Sequence, residues 1–213
     1  MLSEKAEQES SPAAPPAFLS LTPPPLSGRA VFDSPFAHAT FGACLPAEAG
    51  EAVLRWLETD APWRLKKTDF YEQFEFDCRD SRSAAASFLT SPSILDVVRT
   101  EMEGIFGRSF QDEISVVCHK LVQGHRIGIH NDYLDGEESH RLVIQLNRAL
   151  SDNDGGFLML FGGDDAADVR KVLRPVHLGG FAFEISKDSF HAVSAIHSGA
   201  RYSVIYSLRA VST

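Results

Sequence analysis

The 213-residue chain reads as a mainly β protein, a jelly roll (double-stranded β-helix) with N-terminal helices packed on it. Two textures in the sequence predict this. From residue 114 onward, short runs rich in β-branched and aromatic residues (114–122, 141–147, 157–161, 169–173, 181–185, 192–196 and 202–208) are separated by turn clusters such as Asp135-Gly136, Gly155-Gly156, Gly162-Gly163 and Gly179-Gly180. Short strands at that spacing make a sandwich or jelly roll, because a parallel α/β sheet needs a long crossover between its strands. Ahead of residue 114, two stretches carry the apolar stripe of amphipathic helices.

Taken in order, residues 1–30 hold six of the eleven prolines, set among Ser and Ala, and are expected to be a flexible or polyproline-like segment. Residues 31–213 are expected to form a single domain, with its core at about 114–210. The spacing predicts a helix over 46–58: Pro46 suits a first turn, and Ala49, Val53, Leu54 and Leu57 share one face. A second helix opens at Ser91-Pro92 with Ser91 as cap, carries Ile94, Leu95, Val98, Met102, Ile105 and Phe106, and stops at Gly107. Between them, 67–77 alternates apolar and polar residues from Phe70 onward, which suggests a strand or edge ribbon.

Composition narrows the function classes. A formal charge of -9 and a pI near 5.3 argue against a nucleic-acid backbone or an anionic membrane as main partner. Cys44, Cys78 and Cys118 are odd in number and lack a CxxC, which points to reduced thiols rather than a disulfide framework or zinc site. The sequence shows neither a secretion signal nor an apolar run of membrane length, so a cytoplasmic protein is expected.

The chemistry centres on Gly124-His-Arg-Ile-Gly-Ile-His-Asn-Asp132, which holds the one His-x-Asp of the chain, His130 and Asp132. In extended backbone, residues i and i+2 share a face, so an imidazole and a carboxylate can aim at one point. His191 follows 59 residues after Asp132, then Arg201 ten residues later, and Ser203. Two imidazoles and one carboxylate make the facial triad of non-haem Fe(II), with positions left open for a chelating cosubstrate and O2. An Arg two residues before a Ser on one strand face suits a dicarboxylate, whose far end the guanidinium fork binds bidentately.

In this order the residues resemble the Fe(II)/2-oxoglutarate-dependent dioxygenases, and within them the prolyl-4-hydroxylase-like subgroup. There an Arg, a strand ending Leu-Asn and a Gly-Gly turn are typical, as in Arg141-Leu-Val-Ile-Gln-Leu-Asn147 and Gly155-Gly156. The resemblance spans about 115–210 and departs at two positions where the subgroup often has Tyr, here Leu121 and Gln145. It implies that His130, Asp132 and His191 bind Fe(II), and that 2-oxoglutarate places its far carboxylate on Arg201 and Ser203. O2 is then consumed with release of succinate and CO2. Retention of Asp132 implies hydroxylation rather than halogenation.

The expected function is hydroxylation of an unactivated C–H of an amino acid, a peptide or another small metabolite. The alternatives are a prolyl or other residue hydroxylase acting on a protein, and a non-catalytic jelly-roll module that binds a metal or ligand. Candidate substrate contacts are Asn131 and Tyr133 beside the ligands, Arg141 and Gln145 facing the barrel interior, and Tyr71, Gln73 and Phe74 in the ribbon over the mouth. Arg126 is a candidate anchor for a substrate carboxylate.

Overall fold

The computed structural model describes residues 26–148 and 150–211. Most of the Pro-rich segment expected to be flexible lies outside these residues. Its last residues join the body: Leu26 is buried in the core, Ser27 bridges to Ala43, and the first strand begins at Ala30.

Among the described residues twelve strands and three α-helices follow one another in the order β1 (Ala30–Phe32), β2 (His38–Phe41), α1 (Ala47–Thr59), β3 (Arg64–Lys67), β4 (Glu72–Asp77), α2 (Ala84–Leu89), α3 (Pro92–Phe106), β5 (Ser115–Val122), β6 (Ile127–His130), β7 (His140–Gln145), β8 (Leu158–Phe161), β9 (Val169–Leu173), β10 (Gly180–Glu184), β11 (His191–Val193) and β12 (Ala200–Leu208). They build two antiparallel sheets. The larger runs β1-β2-β10-β7-β12-β5-β4-β3, and the smaller β6-β11-β8-β9. The architecture is thus mainly β, consistent with a jelly roll. Among the described residues no helix is long and apolar enough to cross a membrane.

The larger sheet works on both faces, and strict two-residue alternation decides which side chain goes where. On one face Val116, Cys118, Leu142, Ile144, Ala182, Val204 and Tyr206 join the apolar stripes of α1 (Ala49, Val53, Leu54, Leu57), α2 (Ala85, Ala86, Phe88, Leu89) and α3 (Ile94, Val98, Met102) in one core. Tyr206 keeps its hydroxyl satisfied there by donating to the Leu89 carbonyl at 3.1 Å. Gly50, in the first turn of α1, leaves room for the Leu178 side chain to pack closely against the helix. On the other face Leu121, Phe181 and Phe183 meet Leu158, Leu160 and Val193 of the smaller sheet in a second, smaller core. The polar site occupies the rest of that inter-sheet space.

Several boundaries differ from the sequence expectation for identifiable reasons. The strand expected over 141–147 leaves the ladder at Gln145, because the Asn147 side chain takes over the pairing: it donates to the Pro175 carbonyl and accepts from the Tyr202 N–H at 2.8 Å. Beyond Val193 a side chain again replaces the ladder, with the Phe157 N–H donating to Ser194 Oγ. Ser91 holds the N-cap position of α3 but makes no capping hydrogen bond; its hydroxyl pairs with Ser93 instead. Gly107 ends that helix in the left-handed conformation, φ 62°.

His140, on the helix-facing side of β7, is 2 % exposed and sits against the edges of Phe106 and Phe110. Burial pushes its pKa down from 6.5 to about 4. The unfolded chain therefore binds the proton first, so the stability that a neutral His140 contributes is complete above pH 6.5 and is lost as the pH falls toward 4. In His140→Phe, urea unfolding across that window should show a shallower loss of stability than the wild type, by up to about 3 kcal/mol. Parallel curves would show that His140 is not the responsible group.

Candidate active site

Strands β6 and β11 pair antiparallel with His130 directly opposite His191, which brings the two rings to a centroid separation of 4.2 Å. Each ring is oriented the same way. Nδ1 of His130 donates to the Gly128 carbonyl at 2.9 Å, and Nδ1 of His191 donates to the Ser189 carbonyl at 2.8 Å. A carbonyl only accepts, so the proton is on Nδ1 and each Nε2 presents a lone pair. Asp132 completes the group from a left-handed backbone, φ 58°, a conformation that non-glycine residues other than Asn and Asp rarely adopt. Its Oδ1 lies 3.3 Å from His130 Nε2 and its Oδ2 lies 3.2 Å from His191 Nε2.

Burial lowers the pKa of His191 and so favours its neutral ring. Burial alone would raise Asp132, yet the Arg141 guanidinium beside it holds its carboxyl well below the usual carboxylate range. The cluster thus gathers two imidazole nitrogens and a carboxylate at one point, a set able to hold a cation. Hard oxygen plus imidazole nitrogen is the donor set of a divalent transition metal. Among the described residues it is the one grouping of three or more His, Cys, Asp or Glu side chains able to hold a metal ion.

Arg141 is the electrostatic support of Asp132. It comes from the barrel side of β7, donates from Nη1 to Asp132 Oδ2 at 2.6 Å, and forks onto Glu138 with its other nitrogens. The loop that carries Asp132 is pinned in turn. Asn131 donates to the Lys187 carbonyl at 3.0 Å and accepts from the Tyr133 N–H, while Ser189 Oγ donates to the Asn131 carbonyl at 2.9 Å.

The cavity beside the cluster, about 170 Å³, is lined by Leu158, Phe181, Phe183, Val193 and Ile205 as apolar walls and by Arg201 and Ser203 from β12. Arg201 is 4 % exposed, its Nε has no partner, and among the described residues no acidic side chain forms an ion pair with it. Burial without a counter-ion lowers its pKa to about 10. A guanidinium in that state is waiting for an anion.

The structure brings together His130, Asp132, His191, Arg201, Ser203, Arg141 and Tyr71 around this one cavity. It does not bring in the others. Gln145 faces the barrel opposite Ser203, but lines an adjoining cavity with Thr40, Pro175 and Gly180 that shares Arg201, Leu158 and Phe181 with the site. Asn131 is spent on the loop, and Tyr133 lies outside with the Lys187 ammonium over its ring. Arg126 lines an outer groove along the smaller sheet rather than the site. The sequence reading missed Glu75, although the alternation from Phe70 onward already placed it on the same face as Gln73.

No protein-family model matches the chain, and no curated protein does. Solved structures do. A Pseudomonas putida prolyl-4-hydroxylase superposes with a TM-score of 0.67 at 17% identity over 82% of this chain and 93% of that one. A Trichoplax adhaerens prolyl hydroxylase, in complex with a hypoxia inducible factor oxygen degradation domain peptide fragment, gives 0.66 at 11% identity over 81% and 83%. A viral collagen prolyl hydroxylase from Paramecium Bursaria Chlorella virus-1, in a 2OG complex, gives 0.56 at 12% over 82% and 96%. The chain has the fold of these oxygenase structures.

A buried, unpaired cation costs folding free energy, so removing the charge should help the ligand-free protein. Arg201→Met should raise the stability of the ligand-free protein by about 1–3 kcal/mol in urea unfolding. A loss of similar size would mean that Arg201 is structurally compensated.

Proposed function

We propose that the chain is an Fe(II)- and 2-oxoglutarate-dependent dioxygenase that hydroxylates an unactivated C–H of an amino acid, a peptide or another small molecule. The observation that carries this reading is the unpaired, buried Arg201 in the same cavity as the lone pairs of His130, Asp132 and His191. One end of the cavity calls for a metal cation and the other for a carboxylate, and a 2-oxo dicarboxylate bound to the metal answers both. His130, Asp132 and His191 would hold Fe(II), and Arg201 with Ser203 would hold the far carboxylate of 2-oxoglutarate. Bound there, the iron, 2-oxoglutarate and O2 together supply the oxidation of a C–H bond, with release of succinate and CO2.

The chain's own residues contribute position and field. The carbonyls of Gly128 and Ser189 fix the two imidazoles with Nε2 inward, the kind of outer support that tunes a metal site. Arg141 keeps Asp132 ionised and turned toward the rings. Phe181, Phe183, Leu158 and Val193 keep the space between metal and Arg201 apolar, which strengthens the guanidinium's hold on a carboxylate. Val193 and Ile205 are too short to fill it.

A second reading, a hydroxylase of a residue within a protein, has its own support. The site cavity shares His119, Asp132, Arg141 and Ile205 with a neighbouring cavity of about 380 Å³. On its other side it shares Phe70, Tyr71, Ile127 and Val193 with the outer groove. This chain of depressions suits an extended peptide, and one of the similar structures holds a peptide fragment.

The test is anaerobic. Apo protein given Fe(II) and 2-oxoglutarate should develop the visible charge-transfer band of the chelate. The band should weaken at least about tenfold in apparent affinity in Asp132→Asn and in Arg201→Met. Asn is the informative partner for Asp132 because it tolerates the left-handed backbone. A folded, metal-loadable protein without the band would leave a non-catalytic binding module.

A further inference from the structure

Two barrel-facing residues of β4 line the site cavity without a role in holding the metal or the dicarboxylate: Gln73 and Glu75. Glu75 lies across from His119 of β5, and Ser203 of β12 lies across from the same His119 on its other side. The β4 pair is therefore separated from the Arg201–Ser203 strand by a full strand, roughly 10 Å between backbones.

The hydrogen bonding of the pair is lopsided. Gln73 Nε2 donates to Glu75 Oε2 at 2.8 Å. A carboxylate only accepts, so the amide orientation is fixed and Oε1 is the free end. That oxygen is buried and has no partner, in a residue 3 % exposed. An unsatisfied buried acceptor is expensive, and such atoms in a cavity wall mark where a ligand donor belongs. Glu75 Oε1 takes the Lys66 ammonium at 2.8 Å, and Lys66 is about half exposed. His119 offers no charge-assisted donor: its Nε2 is 3.8 Å from Glu75 Oε2, and burial lowers its pKa to about 4. The cations lining this cavity are Arg141, already held by Asp132 and Glu138, and Arg201. The β4 wall thus presents an unfilled acceptor, Gln73 Oε1, beside a carboxylate shared with Lys66, and a ligand there must bring donors.

We propose that Gln73 and Glu75 form a subsite for a protonated amine of the substrate. The inference rests on the oxygenase reading above and narrows its substrate class to compounds with an ammonium group near the oxidised carbon. An ammonium brings three donors, enough to fill Gln73 Oε1 and a remaining lone pair of Glu75 together. It also opposes the Glu75 charge, which an amide or a hydroxyl does not.

The probes are Nα-acetyl-lysine amide, Nα-acetyl-norleucine amide and Nα-acetyl-glutamate amide. Binding is followed by isothermal titration calorimetry of the wild type and each variant, in metal-free protein and in protein holding Fe(II) and 2-oxoglutarate under argon. The charge-transfer band is recorded in parallel. The lysine probe should bind at least about tenfold more tightly than the norleucine probe, and the glutamate probe more weakly than either. Gln73→Leu and Glu75→Gln should each erase most of that preference while leaving the band in place. Equal binding of lysine and norleucine probes, no binding of any probe, or a lysine preference that survives both substitutions would overturn the subsite. A missing band with the lysine preference intact would instead overturn the oxygenase reading and leave the amine site standing.

Discussion

Strand β12 has to satisfy two incompatible environments at once, and the rest of the molecule is arranged around that constraint. Tyr202, Val204 and Tyr206 point into the helix-covered core, while Arg201, Ser203 and Ile205 point into the space between the sheets. A one-residue slip against β5 or β7 would exchange the two sets, burying a guanidinium among leucines and placing aromatic rings in the cavity. Pairing on both sides over most of its length prevents this, and the helices α1, α2 and α3 lock it by filling only the apolar face. The position of Arg201 is in that sense set by the hydrophobic core behind it.

The polar side of the same space is held under electrostatic tension. At one end lone pairs converge from His130, Asp132 and His191; at the other a guanidinium sits without an acid. Neither arrangement favours the bare fold, and each is the complement of something the protein lacks alone. Arg141 and Glu138 limit the cost at the acidic end by giving Asp132 a fixed cationic neighbour. Such local conflicts between folding and filling are where binding free energy is stored.

Much of this was legible in the sequence, because it rests on short periods. The runs after residue 114 and the helices before it follow from alternation and the helical stripe, and His130, Asp132, His191 and Arg201 come together as their order suggested. What escaped depends on contacts between segments far apart in the chain. The strands β1, β2 and β3 are three or four residues long and are defined by their partners rather than by their own pattern. Arg126 was placed by proximity in sequence, yet the turn after β5 sends it to the outer groove. Gln145 alternates correctly into the barrel, directly opposite Ser203, but lines an adjoining cavity that shares Arg201 with the site. Glu75 belongs to a ribbon whose sequence looks like any exposed hairpin until β5 packs beside it.

The left-handed backbone at Asp132 has a consequence for how this site can change over evolutionary time. At φ 58° most side chains meet a steric penalty of about 1–2 kcal/mol, while Gly meets none and Asn and Asp little. The mutational neighbourhood of the carboxylate is therefore narrow and uneven. A step to Gly removes the carboxylate at no backbone cost, whereas Glu keeps the charge but strains the turn. The backbone thus leaves two inexpensive replacements at this position, Gly and Asn, and both give up the negative charge.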